Sequence, residues 1–166
     1  MITPSLHFER QYEFGSSIVW DALVDAELVS GWLAEATITP GLGGQYSLRW
    51  LNRDTQPCSD GHITRFDPEQ VLEVESEVNG TLVFTLSEVV GGSRGMSTIL
   101  AVDILAPIEP VFAARVKADW LTNLDQLADL LRGHPVDWEN WERDRAEAWA
   151  EYLFEIDSDP ARHQPR

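Results

Sequence analysis

The sequence predicts an α+β fold, a curled antiparallel sheet closed by one long C-terminal helix. Three observations carry this. Segments of period-two alternation recur from Leu6 to Leu105, separated by glycine, proline and asparagine turns. After Pro107 the apolar spacing changes to steps of three to five. Gly133 and Pro135 then end the helical pattern. A run of strands followed by a helix favours an antiparallel sheet with the helix on one face.

Leu6, Phe8, Arg10, Tyr12 and Phe14 alternate with polar residues, which predicts the first, half-buried strand. Ser16 or Ser17 can cap a short helix striped by Val19, Trp20, Leu23 and Val24. Asp25 can cap a second one carrying Leu28, Val29, Trp32 and Leu33, with Glu27 in its first turn. Pro40, Gly41, Gly43 and Gly44 then mark a hairpin before the alternating Tyr46, Leu48 and Trp50. A polar loop over 52–60 leads to a strand over 62–66, and Asp67-Pro68 makes a turn. Strands over 71–78 and 81–89 flank Asn79-Gly80, a two-residue hairpin signal. A turn over 91–95 separates these from a last strand over 97–105. About six to seven strands of this kind must curl, and the helix is what they curl around.

The long helix is predicted with Pro107 at its first position and Glu109 in its first turn. Ile108, Val111, Phe112, Val116, Trp120, Leu124, Leu127 and Leu131 form its stripe. It runs about 25 residues, or roughly 38 Å. Residues 1–133 form the domain. Residues 134–166 form an acidic, aromatic-rich extension, in which Trp138, Trp141, Arg145, Trp149 and Tyr152 at helical steps predict an amphipathic helix.

Charge narrows the partners. Twenty-eight acidic residues against 12 basic ones give a formal charge of −16. Such a surface repels phosphate backbones and anionic lipid, so neither nucleic acid nor membrane is expected. Lys117 is the only lysine, so no basic patch is hidden in the average. Cys58 has no second cysteine to pair with, which suits a reducing compartment. No stretch approaches the ~18 apolar residues of a span, and the opening residues are too charged for a signal peptide. The expected location is the cytoplasm.

At residues 19–33, VWDALVDAELVSGWL, the chain resembles the START-like, or SRPBCC, superfamily, in the branch similar to the activator of the ninety-kilodalton heat-shock protein's ATPase. Arg10, Tyr12, Val19, Trp20, Ala22, Leu23, Asp25, Glu27, Trp32 and Leu33 fall into that pattern, while Val24 and Ala26 depart from its usual Thr and Pro. Gly43-Gly44-Gln45-Tyr46, Gly61-His62-Ile63 and Phe66-Asp67-Pro68 agree with it. So do Trp120, Leu124, Asp125, Leu127, Leu130 and Leu131, with Asp119 in place of a glycine. The resemblance spans residues 6–133. It implies a helix-grip fold, with space between sheet and helix that relatives use for lipids, polyketides or other apolar molecules. It implies no catalytic signature.

The residues themselves offer little classical chemistry. Gly91-Gly92-Ser93-Arg94-Gly95 matches a nucleophile elbow, but a strand follows where a helix is required, so a hairpin turn is the better reading. Cys58, Asp60 and His62 alternate, yet three mixed ligands without a fourth make no metal centre. Gly41-Leu42-Gly43-Gly44 precedes a strand and lacks dinucleotide spacing. No catalytic group, cofactor or metal is therefore assigned. Arg10 shares a strand face with Phe8 and Tyr12, where it must meet an acid or an anionic ligand group. Arg49, Arg65 and Arg115 are weaker versions of the same idea.

The expected function is binding of a small hydrophobic ligand between sheet and helix. The expected ligand-binding residues are Arg10, Tyr12, Trp32, Tyr46, Leu48, Trp50, Phe84, Phe112, Val116 and Trp120. Two alternatives stand beside it. One is a co-chaperone-like interaction domain, motivated by the acidic surface and the aromatic tail. The other is a cyclase- or hydrolase-type enzyme, for which Arg10, His7 and His62 are the polar candidates. The tail tryptophans are expected to pack on their own chain, with a homodimer or protein contact as the alternative.

Overall fold

The computed structural model describes residues 6–51, 57–77 and 80–158. Strand β1 (Leu6–Tyr12) leads through helices α1 (Ser16–Val24) and α2 (Ala26–Val29) into the short strands β2 (Glu35–Ile38), β3 (Tyr46–Arg49) and β4 (Cys58–Ser59). Strands β5 (Gly61–Asp67), β6 (Val71–Ser76), β7 (Gly80–Val90) and β8 (Met96–Leu105) follow as a meander, then helices α3 (Pro110–Leu131) and α4 (Trp141–Ser158). Strands β1-β8-β7-β6-β5 make one antiparallel sheet and β2-β3-β4 another. A bridge between Gln45 and His62 joins the two, flanked by Gly43 N–H donating to the Ile63 carbonyl and Ile63 N–H donating to the Gly44 carbonyl, each at 2.8 Å. The expected single curl is thus built from two sheets hinged beside β5, whose register shifts between Ile63 and Arg65.

Register explains the core. Leu72, Phe84, Val102 and Phe8 stand side by side across β6, β7, β8 and β1, and Val74, Leu82, Ile104 and Leu6 form the next such row. These residues share the inner face because side chains alternate along each strand. Trp120, Leu124 and Leu127 of α3 pack onto that face, and α1 contributes Val19, Trp20 and Leu23 to the same core. This is the helix-grip arrangement. Among the described residues, no helix is long and apolar enough to cross a membrane.

Element ends differ from expectation where capping came from a distance. Gly15, not Ser16 or Ser17, is the N-cap residue of α1, and it offers no side-chain acceptor. Glu88 on β7 supplies one instead, accepting from the Ser16 N–H at 2.9 Å and the Ser16 hydroxyl at 3.0 Å. Asp25 caps α2 as its sequence implies, accepting from the Glu27 and Leu28 N–H groups. That helix ends at Val29, so the fully buried Trp32 and Leu33 sit in the following turn. Helix α3 begins at Pro110, with Glu109 at the N-cap position, rather than at Pro107. The shorter helix follows from having two prolines to choose from, each suited to a first turn. Trp50 lies just past β3, its N–H donating to the Pro57 carbonyl at 3.0 Å. Val78 and Asn79 lie outside the described residues, and Gly80 takes φ 66 at the start of β7.

Helix α4 packs along the outer side of α3. A single 3-10 turn at Trp138–Asn140 precedes it, with the Trp138 indole N–H donating to the Ser30 carbonyl at 2.7 Å. The linker is held by the Val136 N–H on the Gly31 carbonyl at 2.9 Å.

Two outcomes test this framework. A Cβ at Gly44 would run into the Thr39 carbonyl, so Gly44→Ala, an exchange that elsewhere in a regular element gains up to ~1 kcal/mol, should here lower the urea midpoint. Contacts from the Ser16 backbone N–H and then its hydroxyl hold the Glu88 carboxyl below its usual 4.5. Its folded value being depressed, its contribution is present above that range and lost as pH falls through it. Glu88→Gln should therefore lower stability at pH 7, and the gap to wild type should narrow below about pH 4.5.

Candidate functional site

The apolar stripe of α3 is covered unevenly. Leu124 and Leu127 are fully enclosed and Trp120 is 6% exposed. One and two turns earlier, Val116 is half-buried and Phe112 is 54% exposed. Steps of four residues keep Phe112, Val116, Trp120 and Leu124 along one winding stripe. The sheet therefore grips the C-terminal half of α3 and leaves the N-terminal half partly open. Across from Trp120 stands the buried Phe84, with ring centroids 6.2 Å apart and planes tilted by 57°. Tyr46 and Leu48 are buried on β3, and Trp50 is half-buried beside the core.

The polar tips of three enclosed aromatics are engaged. The Trp32 indole N–H donates to the Ala22 carbonyl at 2.8 Å. The Tyr46 hydroxyl donates to the Leu23 carbonyl at 2.7 Å and that of Tyr12 to the Leu124 carbonyl at 2.9 Å. Burial pushes both phenols well above their ordinary range, so they stay neutral. These groups are fixed posts with an apolar body, suited to lining a site and not to moving protons.

Arg10 sits at the rim. It follows Leu86 and Leu100 across the inner face, and its Nη1 donates to Asp125 Oδ1 of α3 at 2.6 Å. The hydroxyl of Tyr152 from α4 donates to the other oxygen of Asp125 at 2.5 Å. Burial acts most strongly on the guanidinium and opposes its charge, but Asp125 and Tyr152 outweigh it and hold the charge in place. The structure thus gathers Tyr12, Trp32, Tyr46, Leu48, Phe84 and Trp120 into one enclosed cluster, puts Trp50 and Val116 at its edge, leaves Phe112 outside, and neutralises Arg10 within the chain.

Sequence reasoning missed Asp125, Gln126 and Tyr152 as partners. Gln126 is wholly buried; its Nε2 donates to the Trp32 carbonyl at 2.7 Å and its Oε1 accepts from the Trp141 indole at 2.8 Å. A polar residue interrupting a leucine-rich helix, matched by tail aromatics, was the available signal.

The remaining candidates lie on the solvent side. Gly91–Gly95 closes the β7–β8 hairpin, with Gly91 N–H on the Gly95 carbonyl at 3.0 Å. His7 is exposed and pairs with Asp103 at 2.5 Å. Exposed Cys58 and His62, with Asp60, Glu75 and Glu77, border an open cleft of about 710 Å³. Among the described residues, no group of three or more His, Cys, Asp or Glu is placed to hold a metal. Arg49 pairs with Glu35 and Arg65 with Asp67, both at 2.7 Å, while Arg115 lies 5.7 Å from the Trp149 ring centre.

Solved structures share this fold. CalU16 from Micromonospora echinospora is 22% identical, with 89% of this chain and 86% of that one covered and a TM-score of 0.55. The protein encoded by BPP1335 of Bordetella parapertussis is 20% identical, with 92% and 86% covered and a TM-score of 0.63. DynU16, from the dynemicin biosynthetic locus, is 18% identical, with 78% of this chain but 48% of that one covered and a TM-score of 0.59. Among curated proteins, none matches the sequence. The family profile described as activator of Hsp90 ATPase homolog 1-like protein matches residues 16–132, and the chain belongs to that family, within the SRPBCC superfamily.

Proposed function

We propose that the protein binds a small, uncharged hydrophobic molecule at the open end of the grip, over the N-terminal half of α3. The observation that carries this is the exposure gradient along one stripe, from Phe112 at 54% to Trp120 at 6%. An apolar stripe left half uncovered beside an aromatic cluster is the kind of surface that apolar ligands occupy. The ligand is uncharged because Arg10, the cation at the rim, is already satisfied by Asp125. An acidic ligand would have to displace that carboxylate and leave it without its partner. Two of the similar structures, CalU16 and DynU16, are compatible with this reading at the level of fold.

Magnitudes set the reach of the ligand. Micromolar affinity corresponds to about 8 kcal/mol, which needs roughly 330 Å² of buried apolar surface before any ordering cost. Phe112 and Val116 cannot supply that alone, so the ligand must extend to the edges of Trp120 and Trp50.

Fluorescence titration with the neutral probe N-phenyl-1-naphthylamine tests the site. Wild type should bind, and Val116→Glu should weaken binding by at least about tenfold. Phe112→Glu should do the same while shifting the unfolding midpoint little, because an exposed side chain contributes within about 0.5 kcal/mol. Equal binding by all three proteins would remove the site from this end of the helix.

A second reading, a protein-interaction role of the kind the family's description carries, is favoured by Val111 at 73% and Phe154 at 72% exposure. Val111 lies away from the Phe112–Trp120 stripe by helix geometry. If a protein covers this end, Val111→Glu and Phe154→Glu should abolish its capture while probe binding persists. Loss of probe binding in those variants, with no partner captured by wild type, would count against it.

A further inference from the structure

We propose that α4 is a latch: through Tyr152 it holds α3 against strand β1, and its release sets how readily the grip opens. The opening half of this proposal stands on structure alone; its consequence for a ligand rests on the binding reading above.

Three observations lead here. First, no described side chain of α4 is buried. The helix is held instead by directional contacts to one side of α3. The Trp141 indole donates to Gln126 at 2.8 Å, Arg145 to Asp129 at 2.6 Å and the Trp149 indole to Asp119 at 2.7 Å. A helix docked by a few hydrogen bonds over half-covered aromatics lies at the low-stability end of a fold and opens before the core does.

Second, a fourth contact, from Tyr152, reaches the clasp between helix and sheet. Asp125 uses one oxygen for Arg10 of β1 and the other for Tyr152 of α4. Next to it in the chain, the Leu124 carbonyl accepts from Tyr12 of the same strand. Strand β1 is an edge of the five-stranded sheet, so these contacts are where α3 is fastened to that edge. Tyr152 orients the carboxylate that does the fastening. When it leaves, Asp125 regains rotational freedom, and the Arg10 pair, already partly exposed, is left to hold alone, which such pairs do weakly.

Third, the docked state carries a penalty. Thr122 is 3% exposed, and its hydroxyl has no hydrogen-bond partner among the described residues. On the helix it lies between Ala118 and Gln126, within a turn of Asp119 and Asp125 and two turns before Asp129, all of which α4 engages, and away from the Trp120–Leu124 stripe. That placement assigns the covering of this hydroxyl to α4, so that undocking would return it to water. Closing the latch therefore carries a standing cost, which lowers the net stability of the docked state.

Full-length variants acting in opposite directions test it. Tyr152→Phe keeps the ring and removes the hydroxyl; Thr122→Val keeps the shape and removes the unsatisfied group. Hydrogen exchange should show Tyr152→Phe loosening α4 and, with it, amides of β1 and of α3 around residues 120–127, by about tenfold for one hydrogen bond to a charged group. Thr122→Val should tighten the same segments. Stopped-flow uptake of N-phenyl-1-naphthylamine should speed up in the first variant and slow in the second. Faster exchange confined to α4, with β1 and α3 unchanged, would overturn the latch. So would exchange changes spread evenly over all segments in step with the urea midpoint, which mark a general stability effect. If wild type takes up no probe, the binding reading fails while the exchange pattern still decides the latch.

Discussion

The structure depends on one constraint: the apolar stripe of α3 has to be covered by the inner face of a sheet that could not otherwise stay dry. The rows Leu72–Phe84–Val102–Phe8 and Val74–Leu82–Ile104–Leu6 are apolar across four strands. At about 25 cal/mol per Å² of apolar surface, burial of these rows is a main source of stability for the fold. The contact of Trp120 with Phe84 lies in the middle of it. Curling brings β3 round, so that Tyr46 and Leu48 close the core from the far side. Helices α1 and α2 fill the remaining flank, and the buried Trp32 ties that flank to α1 through the Ala22 carbonyl.

Polar groups are arranged around this core and explain how an acidic chain tolerates its own charge. Several carboxylates act as acceptors for groups that need one. Glu88 caps α1, Asp25 caps α2, and Asp119, Asp125 and Asp129 receive donors from the tail. The extension after residue 133, itself rich in acids, thus brings indole, phenol and guanidinium donors to the carboxylates of α3. An acidic helix lying on another acidic helix is stable because the facing side chains alternate in hydrogen-bonding role, even where they share the sign of net charge.

Much of the architecture was legible because it rests on periodicity. The alternation of Leu6 to Tyr12, the turns at Gly91–Gly95 and the stripe from Trp120 to Leu131 each specify their element locally. What could not be read was anything set by a distant partner. The Ser16 end of α1 looked like a self-capped helix, whereas its acceptor lies on β7, which only the folded sheet brings near. Arg10 was legible as an inward arginine, yet Asp125 and Tyr152 are separated from it by most of the chain, and no local pattern pairs them. Trp50 was extrapolated from strand alternation that stops at Arg49. The candidate site was legible as a set of residue types, but not as a gradient. Exposure along one helix depends on where the sheet ends.

The gradient has a mechanical origin. The anchors of α3 sit in its C-terminal half: Tyr12 on the Leu124 carbonyl, Arg10 on Asp125, Gln126 on the Trp32 carbonyl, and Leu130 close against Gly31. In the first two turns, Arg115 over Trp149 is the described contact to the tail, and Val111 and Phe112 are exposed. A stiff helix clamped at one end moves most at the other, so any displacement of the clamp is magnified where the apolar stripe is already bare. Fixing the helix at residues 124–130 while Val111 and Phe112 stay exposed therefore divides the element into a closed end and an open one. The core stays closed where stability is made, and in the binding proposed above an apolar molecule would enter at the open end.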